Sequence, residues 1–364
     1  MIEVPNDATL VREGLAVLGE AVQSVDELPH GALLTATRRV SRVRTATRRA
    51  VVKVVSERAN DGRPRTPEQL DFPSREPLLY EEGLPAAYED AGIALPGLLG
   101  RFDRRGEVAL WLEDLDGVSG SALTPANYER VARRLGRAQG RIGSGEATNA
   151  VFPWSRNVLA DFLASWDDAE WDRMLDDDAW SAPLIADHFS ATDRRDLVAL
   201  CADRHEMLSW AERLPQTICH HDVWPNNVFD FDDHTTLIDW AFSGHGHVGA
   251  DVGNLVTDSC GDLLQPTSLL EELDATSTGA YRAGLDDAGW VGDFRLIRLG
   301  ICIVAAKWSW LVPHMLGLAR QDSHGVYGGA PVDSERLFSE RAEMLRYLVK
   351  LAAEARVLAR SIGL

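Results

Sequence analysis

The residues with the clearest chemical potential lie in one segment, Cys219 to Gly253, which reads CHHDVWPNNVFDFDDHTTLIDWAFSGHGHVGADVG. Asp222 follows a strand-like stretch and precedes a Trp–Pro turn, Asn227 opens a second such stretch, and Asp239 ends a third. Two carboxylates and one amide at the ends of adjacent short strands can converge on one point. Oxygen ligands of this kind suit Mg²⁺ together with a phosphate. One carboxylate would remain to accept a proton.

The spacing within this segment resembles a known signature. The letters HHDVWPNN, followed by IDW, are similar to H-G-D-x-x-x-x-N and I-D-[WF] of the aminoglycoside phosphotransferase and choline kinase superfamily. The resemblance implies ATP and Mg²⁺ as cofactors and Asp222 as the catalytic base. It also implies metal ligands at Asn227 and Asp239, and structural roles for His220 and Asp251.

The segment departs from the family pattern at its histidines. His221 replaces the usual glycine, and His245 and His247 follow Asp239 where the family has a different motif. Either these histidines pack as a hydrogen-bonded loop, or they add acid–base chemistry near neutral pH. On the second interpretation His221 is a second catalytic residue. A histidine metal site fits less well, because no zinc-type spacing is present.

Upstream residues extend the resemblance into a nucleotide site. Lys53 stands in the apolar stretch VVKVV, and in kinase-like folds that position holds the lysine that contacts the α- and β-phosphates. Its acidic partner is expected at Glu76, with Glu81 or Glu82 as substitutes. Backbone groups at Glu113 and Leu115 would hold the adenine. Ser41 falls in TRRVSR, which we expect to be a phosphate-covering loop without glycine.

The acceptor side is less sharply defined. The resemblance places substrate contacts at Trp224, His245 and His247, and on a helix that carries Lys307 and Trp308. A lysine buried there would need a carboxylate partner or an anionic substrate group. Trp308 and Trp310 should not share one helical face. Acidic, tryptophan-containing stretches at 166–178 could instead hold an amine, or could simply be a solvated helix face.

The pattern along the chain predicts an α+β, bilobal, protein-kinase-like fold. Residues 1–115 read as a small antiparallel sheet lobe with a hinge, and residues 116–364 as a helical lobe with a small β insertion. The apolar run at 299–318 contains Lys307 and Pro313, which favours a buried helix over a membrane span.

Composition limits the partners and the compartment. The chain has 364 residues and a net charge of −19, which disfavours nucleic acid and anionic membranes as partners. The acidity either attracts a cationic substrate or serves solubility. The four cysteines are widely spaced, as in a reduced cytoplasmic protein. Basic residues are almost all arginine, which suggests an actinobacterial genome. We expect a small-molecule substrate and a monomer or homodimer.

Three functions are compatible with this sequence. The first is a kinase that transfers the γ-phosphate of ATP to a hydroxyl of an antibiotic, amino sugar or related metabolite. The second is the same scaffold doing ATP-independent dehydration or cyclisation in natural-product biosynthesis, which the glycine-free loop and the histidines motivate. The third is a non-catalytic binding protein, which the intact Asp222, Asn227 and Asp239 disfavour.

Overall fold

The computed structural model describes residues 7–30, 36–59, 62–146, 148, 151–166, 168–321, 323–326 and 330–364. In chain order the first elements are α1 (Asp7–Leu18), β1 (Ser24–Glu27), β2 (Thr37–Arg44), β3 (Arg49–Ser56), α2 (Arg75–Glu82), α3 (Ala86–Asp90), β4 (Ile93–Ala94), β5 (Leu98–Arg104) and β6 (Glu107–Glu113).

The later elements are mainly helical. They are β7 (Val118–Ser119), α4 (Pro125–Gly143), α5 (Val158–Ala164), α6 (Asp168–Asp172), α7 (Asp177–Trp180), α8 (Pro183–Ala186), α9 (Ala191–Arg213), β8 (Gln216–Cys219), β9 (Val228–Asp230), β10 (Thr235–Leu237), β11 (Gly244–His247), α10 (Ala250–Gly261), α11 (Leu270–Asp287), α12 (Phe294–Cys302), α13 (Val304–Trp308), α14 (Leu311–Leu318) and α15 (Ser334–Ile362). The predicted α+β order, a sheet lobe before a helical lobe, is confirmed.

The small lobe is a five-stranded antiparallel sheet in the order β1-β2-β3-β6-β5. Alternation along the strands separates its two faces. Val43, Val52 and Trp111 lie on one face, in an apolar cluster with Leu10 and Leu18 of α1. The other face carries Lys53 and turns towards the helical lobe, as the contacts of Lys53 show below.

The segment predicted to be a glycine-free phosphate loop is a strand. Thr37–Arg44 forms β2 and pairs with both β1 and β3, so that prediction was wrong. The stems of its arginines sit on the sheet while their charged ends find carboxylates, as Arg42 does with Asp114 at 2.8 Å. The connection between β1 and β2 is residues 28–36 and contains Gly31. Residues 31–35 lie outside the described part of the chain.

The helical lobe is organised around α4 and α11. Thr124 and Asn127 form a capping box that starts α4, with Pro125 in its first turn. The two helices pack at very close range. A Cβ at Gly136 would lie 2.2 Å from the carbonyl oxygen of Tyr281, so only glycine allows this approach.

Short sheets tie the segment Cys219 to Gly253 into this lobe. β4, β10, β9 and β7 form one sheet, and β8 pairs with β11. β4 pairs parallel with β10, and the Tyr88 hydroxyl donates to the carbonyl of Ile218 at 2.7 Å. Leu84, Tyr88 and Ile93 therefore pack in the core of the helical lobe, although they precede β5 and β6 in sequence.

The apolar run near the C-terminus is built into the core. The stretch Phe294–Leu318 is long and apolar enough to cross a membrane, but 78% of its most apolar window is buried inside the protein. The predicted buried helix is thus found there, divided into α12, α13 and α14. The four cysteines are free and buried, as expected.

Candidate active site

The loop between β8 and β9 presents Asp222. Asn227 lies at the end of a single 3₁₀ turn that begins with Pro225. Its amide nitrogen donates to the Asp222 carboxylate at 2.8 Å and to the Asp222 carbonyl at 3.0 Å. The two residues predicted to converge are therefore in direct contact. The amide nitrogen of Asn227 is used in these bonds, which leaves its amide oxygen as the atom suited to a cation.

Asp239 joins the helical lobe to the sheet lobe. It follows β10 with a φ of 60°, a left-handed conformation that Asp adopts more readily than most residues. The Lys53 ammonium lies 2.8 Å from the Asp239 carboxylate and 2.6 Å from that of Glu76. The predicted pairing of Lys53 with Glu76 is therefore present and buried, and the partly exposed Asp239 completes a three-residue ionic cluster.

Lys53 and the two carboxylates in this cluster shift one another's pKa values. Burial favours a neutral Lys53, but Asp239 and Glu76 outweigh it and raise the pKa of Lys53 above its ordinary value. Burial raises the pKa of Glu76, while Lys53 outweighs burial at Asp239 and lowers its pKa. Asp239 thus remains a carboxylate that can ligate a cation.

The pKa of Asp222 is shifted into the neutral range. Burial raises its pKa to about 7, and the nearby Lys307 and the hydrogen bond from Asn227 oppose that rise. A pKa near the working pH is the most effective one for accepting a proton in a transition state.

Asp251, in the first turn of α10, holds the loop that carries Asp222. Its two carboxylate oxygens accept the backbone N–H groups of His220 and His221 at 2.9 and 2.8 Å. Gln139 donates a third hydrogen bond at 2.7 Å. Burial raises the pKa of Asp251 to about 6, and these three bonds act against it. The geometry is that of a brace, as the resemblance implied.

His220 has a structural environment. Its Nε2 donates to the carbonyl of Ile238 at 3.0 Å, and its Nδ1 accepts the backbone N–H of Asp222 at 3.2 Å. Its ring packs edge-on against Trp240, with ring centroids 4.5 Å apart. Burial lowers its pKa to about 4, so the imidazole is neutral at neutral pH.

For the other three histidines, His221, His245 and His247, the structure also favours a structural interpretation over acid–base chemistry. His221 adopts a φ of 69°, which explains why glycine suits this position, and its Nε2 lies 3.0 Å from the carbonyl of His245. Burial lowers the pKa of His221 to about 3 and that of His247 to about 4. Burial also lowers the pKa of His245. His221 and His247 are neutral rings bonded to backbone carbonyls, which matches the packed-loop interpretation.

A cavity of about 140 Å³ opens beside Asp222. His221, His245 and His247 line it, with Asn254 and Lys307 of the helical lobe. Apolar residues of α5, α9 and the α12–α13 junction make up most of the remaining wall. Of the residues predicted to contact the acceptor, His245, His247 and Lys307 are therefore at the cavity.

The two predicted tryptophans do not line this cavity. The Trp308 indole is buried and donates to the Asp258 carboxylate. Trp224 is buried in the catalytic loop. Trp308 stacks on Trp310 with ring centroids 5.4 Å apart, so the expectation that they could not share a face was wrong. The helix breaks between α13 and α14, and the break brings the two rings together.

The residues predicted to contact the nucleotide, Glu113, Leu115 and Ser41, lie in different places. Glu113 ends β6 and is exposed, and Leu115 follows it in the segment that joins the lobes. Ser41 is fully buried and faces away from Lys53, because its register partner is Val52 whereas that of Lys53 is Val40. The structure does not bring Ser41 to the site.

Sequence reasoning missed two residues of α10 that support the site. Asn254 donates to the carbonyl of His221 at 3.1 Å and accepts from Lys307 at 3.0 Å. Asp258 lies 3.6 Å from the Lys307 ammonium. With Asp251 they stand at positions i, i+3 and i+7 of one buried helix, a spacing that places all three on one face. That polar stripe was visible in the sequence.

The residues present fit a nucleotide-bound Mg²⁺ better than a metal held by protein alone. In the described parts of the chain no three His, Cys, Asp or Glu side chains cluster as a metal site. Mg²⁺ usually takes one or two protein oxygens and completes its shell with phosphate and water. Asn227 and Asp239 could supply those two oxygens.

Comparison with known proteins supports this picture at the level of family and fold. A profile described as the phosphotransferase enzyme family matches residues 34–286. No curated protein sequence matches the chain significantly. The fold is similar to an amicoumacin kinase solved with AMP-PNP, Ca²⁺ and Ami, at a TM-score of 0.54 and 9% identity over 94% of each chain.

Two further structures share the fold. An aminoglycoside phosphotransferase from Alicyclobacillus acidocaldarius has a TM-score of 0.53 and 14% identity over 98% of both chains. A choline kinase from Cryptosporidium parvum has a TM-score of 0.52 and 13% identity, over 98% of this chain and 97% of its own. At these identities the likeness shows the fold alone. The family match covers more than half of the sequence and includes the whole catalytic segment, and the chain therefore belongs to the phosphotransferase enzyme family.

Proposed function

We propose that this protein is an ATP- and Mg²⁺-dependent kinase that phosphorylates a hydroxyl group of a small molecule. The observation that carries the proposal is the meeting of Lys53 and Glu76, from the sheet lobe, with Asp239 of the helical lobe, next to the Asp222–Asn227 pair. Phosphoryl transfer needs positioning and charge stabilisation more than covalent chemistry from the protein. This cluster supplies both.

Each residue has a distinct role in the proposal. Lys53 would bind the α- and β-phosphates, and Glu76 would hold Lys53 in place. Asn227 and Asp239 would hold Mg²⁺, which neutralises charge on the phosphates when it is bound. Asp222 would orient the acceptor hydroxyl and take its proton, while the backbone near Glu113 and Leu115 would contact the adenine.

The observations behind the ATP-independent alternative are not found. The glycine-free loop is strand β2, and His221 and His247 are neutral side chains bonded to backbone carbonyls. The same centre leaves no chemical reason to favour dehydration or cyclisation over phosphoryl transfer.

The direct test is transfer of label from γ-labelled ATP to an alcohol in the presence of Mg²⁺. Asp222→Asn should lower the rate of transfer about 10²–10⁴-fold, as loss of a general base does. Asp232→Asn is the matched control, because Asp232 is an exposed carboxylate in the β9–β10 turn. Transfer that Asp222→Asn leaves unchanged would contradict the proposal, as would no transfer to any of a broad set of alcohols.

A further inference from the structure

The charges around the cavity beside Asp222 limit what it can bind. Among the described residues that line it, the carboxylates are Asp222 and Glu212, and the cationic side chains are Lys307 and Arg156. Asp222 is reserved for the hydroxyl proton in the proposed function, and Glu212 is exposed at the rim. A polyamine would therefore find no buried carboxylate set to neutralise it, and burying an unpaired ammonium is costly.

Lys307 places a positive charge at the cavity wall. Its ammonium contacts Asn254 at 3.0 Å and the carbonyl of His221 at 3.5 Å, and it lies 3.6 Å from Asp258. Asp258 is not among the lining residues, so of this ion pair only Lys307 belongs to the cavity wall. Its side chain is 19% exposed, which leaves the charge only partly screened by water.

Most of the remaining wall is apolar, although Asn157 and Gln216 also line it, and the cavity volume is about that of one ring. An engineered protein cavity of about 150 Å³ lined by aliphatic and aromatic side chains binds benzene. The cavity here has about 140 Å³. Apolar side chains from three separate segments surround it: Val158, Leu159, Phe162, Leu208, Ile303 and Val304.

From this charge pattern and this apolar wall we propose that the acceptor is an alcohol with a compact, apolar, ring-sized body and no positive charge next to its hydroxyl. The proposal rests on the proposed function for the word acceptor, but the binding preference itself does not depend on phosphoryl transfer. Neutral His221, His245 and His247 present ring surface to the ligand without adding charge. Lys307 repels cationic alcohols, whereas Arg156, like Glu212, is exposed.

The test uses three alcohols that share one ring and differ in charge: benzyl alcohol, 4-(hydroxymethyl)benzoate and 4-(hydroxymethyl)benzylamine. Their affinities for the full-length protein are measured by ligand-observed NMR at pH 7.5, without nucleotide. The amine should bind at least about tenfold more weakly than benzyl alcohol, because like charges are brought together in a partly buried site. The benzoate should bind at least as well as benzyl alcohol.

Variants locate the binding and its cause. Ala160→Phe should weaken binding of benzyl alcohol, because Ala160 lines the cavity, whereas Ala164→Phe at the exposed C-terminal end of the same helix should not. Lys307→Met should reduce the difference in affinity between the amine and benzyl alcohol. Lys350→Met, at an exposed lysine of α15, should leave this difference in affinity unchanged.

Several results would overturn the inference. They are an amine that binds as tightly as benzyl alcohol, binding that Ala160→Phe leaves intact, and no millimolar binding of any of the three alcohols. If label transfer from ATP fails while this order of affinities holds, only the proposed function is lost. If transfer succeeds and the amine is preferred, only this inference is lost.

Discussion

At the scale of single residues, the question for His221 is whether its role is structural or catalytic. Its imidazole touches the cavity, yet burial lowers its pKa to about 3, and its Nε2 is bonded to the carbonyl of His245. A ring fixed as a donor to a carbonyl, and neutral over the physiological range, is a poor proton carrier near pH 7. The sequence alone left both interpretations open, because the partner of His221 lies 24 residues away in β11.

His221→Gly tests this distinction. The backbone φ of 69° suits glycine, so the variant should fold, although it loses one hydrogen bond to His245. We expect kcat to change by less than about tenfold, against the ~10²–10⁴-fold loss typical of a general acid or base. The measurement is kcat across pH 6–9. A larger loss, or the disappearance of a pH inflection, would make His221 catalytic.

His247 gives a prediction for acid stability. Burial lowers its folded pKa to about 4 from an ordinary value of 6.5. Between these pH values the unfolded chain binds the additional proton, so this residue favours unfolding progressively as pH falls below 6.5. His247→Gln should therefore make the free energy of unfolding fall less steeply between pH 7.5 and pH 5, by up to about 2 kcal/mol.

Urea denaturation at each pH measures that slope. The slope is compared within each protein, so a uniform loss of stability in the variant does not disturb the test. The same substitution at the half-buried His234, which pairs with Asp233 in the β9–β10 turn, provides the control. Parallel curves for wild type and His247→Gln would show that His247 is not held neutral by burial.

At the scale of elements, α10 holds the catalytic loop through one carboxylate. Asp251→Asn replaces an acceptor of three hydrogen bonds with a group that has one acceptor oxygen, so at least one buried N–H loses its partner. We expect a loss of about 1–3 kcal/mol in the free energy of unfolding. We also expect faster amide exchange at His220 and His221, and a lower kcat.

Asp286→Asn, at an exposed carboxylate on α11, is the matched control and should change none of these quantities. Exchange at the two histidine amides that stays at the wild-type rate in Asp251→Asn would contradict the role of Asp251 as a brace.

The elements also show which patterns were readable from the sequence. The strand just before Asp239 and the strand that ends at Glu113 were predictable, since apolar alternation and turns mark them. The pairing of Lys53 with Glu76 came from the resemblance to kinase-like folds, and the two side chains are in contact. The Val, Thr and alternating Arg of residues 31–56 did predict strands, but the family resemblance wrongly assigned Thr37–Arg42 to a phosphate loop, and these residues belong to β2.

Other features depended on tertiary structure. The break between α13 and α14 was missed, although Pro313 falls in the first turn of α14, where its missing N–H removes no helical hydrogen bond. The cavity could not be predicted, because its walls come from α5, α9 and the α12–α13 junction, which are far apart in sequence. Local patterns carry no information about such an enclosure.

At the scale of the whole molecule, the site exists only where the two lobes meet. Lys53 comes from the five-stranded sheet and Asp239 from the helical lobe, and their contact is direct. We propose that the boundary between the two lobes lies near residue 115, and that residues 84–94 pack with the helical lobe. The net charge of −19 was compatible with a cationic substrate, but the cavity beside Asp222 does not concentrate that acidity.

The measurement that tests the central claim most directly is calorimetric titration of ATP with Mg²⁺ into wild type, Asp239→Asn and the control Lys350→Met. The account predicts micromolar binding that requires Mg²⁺, is retained in Lys350→Met and is weakened at least about tenfold in Asp239→Asn, as loss of a metal ligand would cause. Absence of binding in the wild type, or binding indifferent to both Mg²⁺ and Asp239, would contradict it.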